Sequence, residues 1–211
     1  MQIKYVENRG KLKEYYHFFS KVFYEDAKEF NEHYYPMFNA YSKIEEQYNK
    51  DNTLLIYIEE CGNIVGCIGV KDVINNKATL DVLAVDKNCR GKGYASLLIK
   101  EIESRLVKTG VKEVSLGARF RACNVYLKNG YKPTLLVQVN DFATTDLIKE
   151  NNIYDYEIVN EYQNDVCGAV FFKVDEVNAS VINHFESNVA TCHASYIFTK
   201  TLNWQMIFKN I

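Results

Sequence analysis

The segment CRGKGYA, residues 89–95, alternates two cations with two glycines. The apolar run LDVLAV comes before it, and SLLIKEIESRL, which has the spacing of an amphipathic helix, follows it. Glycines that open a helix after a strand expose backbone N–H groups to an anion, because glycine has no Cβ and a helix N-terminus carries partial positive charge. The segment therefore predicts a diphosphate-binding loop, although a surface turn rich in Gly and Lys would look the same.

Two common nucleotide-binding patterns do not fit this segment. A phosphate-loop NTPase requires GxxxxGK followed by Ser or Thr, and the sequence has no such motif. A dinucleotide-binding fold requires GxGxxG directly after its strand. Here Ser96 replaces the third glycine, and five residues separate Val85 from Gly91.

A third pattern fits the segment and its surroundings. Residues 90–95, RGKGYA, resemble the acetyl-CoA signature R-x-x-G-x-A of the GCN5-related N-acetyltransferase (GNAT) family. Residues 80–106 resemble the family's fourth strand and third helix, VKEVSLGARF its fifth strand, and ACNVYLKNGYKP its closing segment. Arg119 is a departure, because the family often has an Asn there that organises the entry of the next helix.

The resemblance implies an α/β (α+β) GNAT fold. Its central sheet is mixed but mostly antiparallel, is split at the fourth and fifth strands, and is flanked by helices. Residues 1–139 would form this acetyltransferase domain, with two aromatic-rich helices between Arg9 and Tyr48 that are separated at Pro36. Residues 140–211 would add a small α/β extension, strand–strand–helix–strand, packed on the domain.

Composition restricts the classes of partner. A net charge of −2 without a basic block gives no reason to expect nucleic acid. No apolar run approaches the roughly 20 residues that span a bilayer. The six scattered cysteines and four histidines have no ligand spacing, so we expect no metal, no disulfide framework and a cytoplasmic location.

The resemblance also implies where acetyl-CoA binds. Main-chain groups of Leu83, Ala84 and Val85 would hold the pantetheine arm like an added strand, with a backbone N–H near Ala84 or Val85 facing the thioester oxygen. The diphosphate would be held by the loop and the start of the helix. The residues concerned are Arg90, Gly91, Lys92, Gly93, Tyr94, Ala95 and Ser96.

Two residues are candidates for catalysis. Tyr126 matches the family's tyrosine four residues before the helix-ending glycine, and would donate a proton to the departing thiolate. The alternative is that Tyr126 only packs its helix against the sheet. Asp81, an acid within an apolar strand, is the candidate base for the amine, and a structural or solvated carboxylate is an equal alternative.

The expected function is acetyl-CoA-dependent transfer of an acetyl group to a primary amine, by direct attack in a ternary complex. A non-catalytic acyl-CoA-binding module and an unrelated nucleotide-binding domain are the alternatives. The acceptor, a small molecule or a peptide amine, would lie between the N-terminal helices and the sheet. There the acidic, aromatic residues 25–38 would suit a cation. The strands after residue 150 could cap that cleft or pair two copies into a homodimer.

Overall fold

The computed structural model describes residues 1–29, 40–140 and 144–203. The chain divides into two compact units, Met1–Val114 with Thr201–Ile211, and Ser115–Lys200. Strands and helices alternate along it in an α/β arrangement. The first-unit elements are β1 (Gln2–Tyr5), α1 (Arg9–Glu29), α2 (Ala40–Asp51), β2 (Leu55–Glu60), β3 (Asn63–Ile74), β4 (Lys77–Val85) and α3 (Tyr94–Lys108).

β5 (Glu113–Ala118) continues from the first unit into the second. The other second-unit elements are α4 (Cys123–Lys128), β6 (Lys132–Asn140), α5 (Thr145–Glu150), β7 (Ile158–Gln163), β8 (Cys167–Lys173), α6 (Ala179–Asn188) and β9 (Cys192–Thr201).

In the first unit the strands lie in the order β1-β2-β3-β4, and each pairs antiparallel with the next. Tight turns set these pairings. Asn75 and Asn76, between β3 and β4, have φ of 51° and 62°, the left-handed conformation that two-residue hairpin turns favour. Cys61 and Gly62 make the corresponding turn between β2 and β3, also at positive φ.

Helices pack on this sheet from residues that alternate along the strands. Leu55 and Tyr57 of β2 belong to the buried cluster that includes residues of α1 and α2. Ile56 and Ile58, which alternate with them, are fully buried too and therefore belong to the opposite face. α3 contacts β2, β3 and β4, and its Leu98 lies against Gly66.

The second unit is also built on antiparallel strands. β6 lies between β8 and β9, and β7 pairs with β8 at the edge. Phe172 of β8 and Phe185 of α6 stack within its core, with ring centroids 5.7 Å apart. Every residue of β7 is exposed. No helix in the described ranges is both long and apolar enough to cross a bilayer.

The predicted fold class is confirmed, including the strand–strand–helix–strand order of β7, β8, α6 and β9. The sequence patterns did not predict α5. Pro36 lies outside the described residues, as does most of the acidic, aromatic segment 25–38. The compact units divide after Val114. The predicted boundary at residue 139 separates the acetyltransferase domain from the extension, and it stays a prediction.

Candidate functional site: the glycine loop and the strand before it

The backbone enters α3 through two glycines in the left-handed region. φ is 78° at Gly91 and 82° at Gly93, and such a conformation costs a residue with a Cβ about 1–2 kcal/mol. Among the described residues, no atom lies within 4 Å of where a Cβ would be at either glycine. Gly93 is the N-cap of α3 and provides no side chain to cap it. The first-turn amides, which have no acceptor within a helix, therefore receive none from this position.

Arg90 ties this loop to two other elements. Its Nε donates to the Val85 carbonyl at the end of β4 (3.1 Å), and its Nη2 donates to Oδ1 of Asp26 on α1 (2.7 Å). Asp26 is only 8% exposed, so the pair is shielded on the α1 side. The Arg90 side chain is thus directed at protein groups and fixes the position of the loop.

Tyr94 ties the start of α3 to the end of β2. Its hydroxyl donates to Oε1 of Glu60, and this hydrogen bond is the main cause that raises the pKa of Tyr94 to about 12. Because the Tyr94 hydroxyl donates to Glu60, the backbone N–H of Tyr94 is the group that could bind an anion. Lys92 is exposed, and within the described ranges it has no ion-pair partner.

The register at the end of β4 orients the main-chain groups there. Asp86 N–H donates to the Val65 carbonyl (3.0 Å), so Gly66 and Val85, which lie opposite each other, form a non-hydrogen-bonded pair. The N–H and C=O of Val85 therefore point away from β3, as do those of Leu83 two residues earlier. Ala84 is in a hydrogen-bonded pair with Cys67, and its main chain faces β3.

Asp81 lies at a β-bulge. Val82 pairs with Gly69 and Leu80 pairs with Val70, so Asp81 has no partner on β3. Alternation predicts Leu80, Val82 and Ala84 buried, and they are. It also predicts that Asp81 faces away from Val82, but both residues line one recess. The difference has a physical cause, because a bulge redirects the side chain of its extra residue.

This recess, called the Tyr15 recess below, lies between the two N-terminal helices and the sheet of the first unit. It is shallow and open to solvent. Ile44, Leu55 and Val82 contribute apolar surface, and Lys43, Lys71 and Asp81 contribute charge. Lys43 and Lys71, like Asp81, are exposed.

Tyr15 is the buried polar residue of the recess. Its side chain is fully buried, and its hydroxyl lies 2.7 Å from where a Cβ on Gly69 would be. The Cys67 thiol is close by, but no atom of the described residues meets hydrogen-bond geometry with the hydroxyl. Burial raises the pKa of Tyr15 well above its usual value, so the hydroxyl is a neutral donor.

Tyr126 belongs to the second unit, on α4. It is 6% exposed, and its ring contacts Phe198 and Tyr131 at centroid distances of 5.4 and 5.8 Å. Burial raises the pKa of its hydroxyl well above the usual 10. The packing role weighed from the sequence is therefore present, and the catalytic role stays a prediction.

Sequence reasoning missed the partners of the loop. Asp26 and Glu60 are 64 and 34 residues away from their partners Arg90 and Tyr94, and nothing in the local pattern indicates those pairs. Helical spacing puts Tyr15 on one face of α1 with Leu12 and Phe19, but it does not indicate that the buried hydroxyl has no hydrogen-bond partner among the described residues. In the part of the chain that the structure describes, no group of three His, Cys, Asp or Glu side chains could hold a metal ion.

Comparisons with known proteins agree with the fold. The sequence matches the profile of the Acetyltransferase (GNAT) family over residues 13–131. A GNAT-family acetyltransferase from Staphylococcus aureus Mu50 is similar in structure, with a TM-score of 0.57 and 17% identity over 96% of this chain and 99% of that chain.

The N-acetylglutamate synthase from Neisseria gonorrhoeae, solved with coenzyme A and N-acetyl-glutamate, matches with a TM-score of 0.50 and 13% identity. The match covers 96% of this chain and 35% of that one. Comparison with curated protein sequences gives no match. At these identities the solved structures show the fold alone.

The Arg90–Asp26 pair leads to a prediction about the loop. We expect Asp26→Asn to lower the free energy of unfolding by about 1 kcal/mol, because a hydrogen bond between charged groups is weakened at a partly exposed site. Backbone amides of residues 86–93 should exchange with solvent faster, as measured by hydrogen exchange. Glu25→Gln is the control, since Glu25 pairs with Lys21 at 3.8 Å on the surface of the same helix. Equal exchange of the loop in both variants would contradict the role of Asp26.

Proposed function

The chain belongs to the GNAT acetyltransferase family, and from that premise we propose that it transfers an acetyl group from acetyl-CoA to a primary amine within a ternary complex. The observation that carries the proposal is the left-handed glycine loop that opens α3 directly after β4. Release of the CoA thiol on addition of an amine tests the reaction. Binding of CoA without thiol release by any amine would instead indicate a non-catalytic acyl-CoA-binding module.

The loop fits the diphosphate of the cosubstrate. The first-turn amides of residues 94–96 would hold the phosphate oxygens, and the open space around Gly91 and Gly93 allows close approach to the main chain. The partial positive charge of the helix N-terminus adds to this attraction. Lys92, exposed in the same loop, would supply a full charge. Arg90 would act through its contacts with Asp26 and Val85, by keeping the loop in place.

The end of β4 fits the pantetheine arm. Main-chain groups of Leu83 and Val85 point away from β3, so they could pair with an extended ligand as an added strand would. The Val85 carbonyl already accepts a hydrogen bond from Arg90, and a carbonyl can accept a second. Register favours the Val85 amide over that of Ala84 as the donor to the thioester oxygen, because the Ala84 main chain faces β3.

The chemistry then requires two proton transfers. The thioester supplies an activated acetyl group. The amine must lose a proton to attack, a new C–N bond forms, the C–S bond breaks, and the thiolate takes up a proton. Asp81 would accept the proton of the amine, directly or through water, since it lies at the bulge and lines the Tyr15 recess.

Tyr126 would stabilise the leaving group. A thiol has an unperturbed pKa of about 8.5 and a phenol one of about 10, and burial raises the pKa of Tyr126 further. Complete proton transfer from Tyr126 to the thiolate is therefore unfavourable. We propose that Tyr126 donates a hydrogen bond to the thiolate as charge develops, and that the proton comes finally from solvent.

Cytoplasmic location and a homodimer remain predictions from the sequence.

The glycine loop is tested by Gly93→Ala. We expect a loss of about 1 kcal/mol in unfolding free energy from the left-handed backbone, and a loss of about tenfold or more in CoA affinity measured by calorimetry. Gly62→Ala is the matched control, because Gly62 has φ of 80° and equally open surroundings in the β2–β3 turn. It should show the same destabilisation with unchanged affinity. Equal affinity in both variants would remove the loop from the binding site.

The role of Asp81 is tested by the pH dependence of kcat/KM. An alkylamine with a pKa of about 10.4 is almost entirely protonated at pH 7, so removal of the base should matter most there. We expect Asp81→Asn to lower the rate about 100-fold near pH 7, and the deficit to shrink towards pH 10 as free amine accumulates. Asp72→Asn removes the same charge from β3 outside the recess and should leave the profile unchanged. A constant deficit across this pH range would exclude Asp81 as base.

The role of Tyr126 is tested by Tyr126→Phe, which keeps the ring contacts with Phe198 and Tyr131. We expect kcat to fall about 100-fold while the Kd for acetyl-CoA stays nearly unchanged. Tyr131→Phe removes a hydroxyl from the same aromatic cluster and should retain kcat. If the two variants have the same turnover number as the unmodified protein, Tyr126 has only the packing role.

A further inference from the structure

We propose that the acceptor is a small molecule that carries an anionic group, a carboxylate or a phosphate, close to its primary amine, and that it binds in the Tyr15 recess. The inference rests on the function proposed above and narrows its substrate class. The evidence is the charge pattern of the recess and the buried Tyr15 hydroxyl, which has no hydrogen-bond partner among the described residues.

The charges of the recess are of both signs. Lys43 of α2 and Lys71 of β3 share it with Asp81 of β4. Among the described residues, none of these three side chains has an ion-pair or hydrogen-bond partner. The neighbouring acids of α2 are neutralised by other groups, since Glu45 pairs with Arg9 and Glu46 with Lys50. Two lysines therefore outnumber one carboxylate at this place, in a chain whose net charge is −2.

This pattern matches a zwitterionic acceptor better than a plain amine. A primary amine alone would use only the carboxylate of Asp81 and would be repelled by the two ammonium groups. An acceptor that also carries an anion can place its amine near Asp81 and its anion near the lysines, so all three charges are used.

Tyr15 is the second, independent observation. A buried hydroxyl without a partner lowers the stability of the fold, and phenylalanine would fill the same volume without that loss. Gly69 leaves the space that this hydroxyl occupies, because a Cβ there would lie 2.7 Å from it and 3.1 Å from Leu55. A neutral donor held unsatisfied beside the recess is suited to a ligand acceptor such as a carboxylate or phosphate oxygen.

The bulge joins these two observations. Lys71 and Asp81 are each unpaired residues in the β3–β4 register, on adjacent strands. Bulges redirect side chains, and both of these residues line the recess. The irregularity of the two strands therefore places one cation and one anion at the same surface, which regular alternation would not do.

The test compares matched amines in the CoA thiol-release assay with the whole chain. One pair is 3-aminopropanoate and propylamine, and the other is O-phosphoethanolamine and ethanolamine, so the two pairs distinguish a carboxylate from a phosphate. We expect kcat/KM at least about tenfold higher for the anionic member of at least one pair. Putrescine, a dication, should be a poor acceptor. If the neutral amines or putrescine react as well as the anionic ones, the inference is wrong.

Variants show whether the recess causes the preference. Lys71→Met and Lys43→Met should each reduce the ratio of the anionic to the neutral amine about fivefold or more, through KM. Lys77→Met is the matched control, because Lys77 begins β4 at the turn of the same hairpin, is exposed, and does not line the recess. The ratio should be unchanged there. A ratio that responds equally to all three substitutions would reflect net charge alone and would contradict the proposed site.

Tyr15→Phe gives a readout that a purely structural residue would not. We expect the variant to have a higher melting temperature, because an unsatisfied buried hydroxyl is removed, and a higher KM for the anionic amine with unchanged CoA affinity. A higher melting temperature with unchanged KM would show that the hydroxyl does not serve the ligand. If CoA binds and no amine releases thiol, the proposed function fails, whereas reaction without anion preference contradicts only this inference.

Discussion

Two glycines in the left-handed region, at the junction of β4 and α3, are the constraint on which the proposed site depends. At φ near 80°, a residue with a Cβ would be strained, so the loop shape is available to glycine at low cost. The shape leaves the first amides of α3 without a side-chain cap, and a bound anion would satisfy them. Arg90 then fixes the loop by bonding to both Val85 and Asp26, so the end of the strand and the start of the helix are held as one piece.

The first unit shows further departures from regular structure, in α1, β3 and β4. Asp81 and Lys71 leave the β3–β4 register, and Tyr15 keeps a buried hydroxyl without a partner. Each departure lowers stability, since a bulge disrupts ladder pairing and an unsatisfied donor loses its hydration. All three residues line one recess. Several features that lower stability therefore occur at one place. This is typical of binding sites, where polar groups are held ready for a ligand.

The sequence predicted the fold to the level of nearly every element because its signals there are local. The helical spacing of SLLIKEIESRL predicted α3, and the apolar run LDVLAV before the glycines is the end of β4. The site was predicted less completely, because its geometry depends on distant residues. The partner of Arg90 lies 64 residues away on α1, and the direction of the Asp81 side chain follows from an irregular pairing that only β3 and β4 together create. Strict alternation, correct for Val82 and Ala84, therefore gave the wrong side for Asp81.

The proposed roles separate binding of the cosubstrate from stabilisation of the leaving group. The glycine loop, Asp81 and Tyr15 belong to the first unit, whereas Tyr126 belongs to the second. Diphosphate attraction acts in the ground state and is expressed in affinity, while a hydrogen bond to a developing thiolate acts only in the transition state and is expressed in turnover. The raised pKa of Tyr126 strengthens this distinction, because a phenol that resists ionisation at neutral pH stays a donor and does not compete as a base. Within such a scheme the carboxylate at the bulge is the one proposed group that faces the amine before the reaction, so acceptor choice and amine activation depend on the same irregularity in β4.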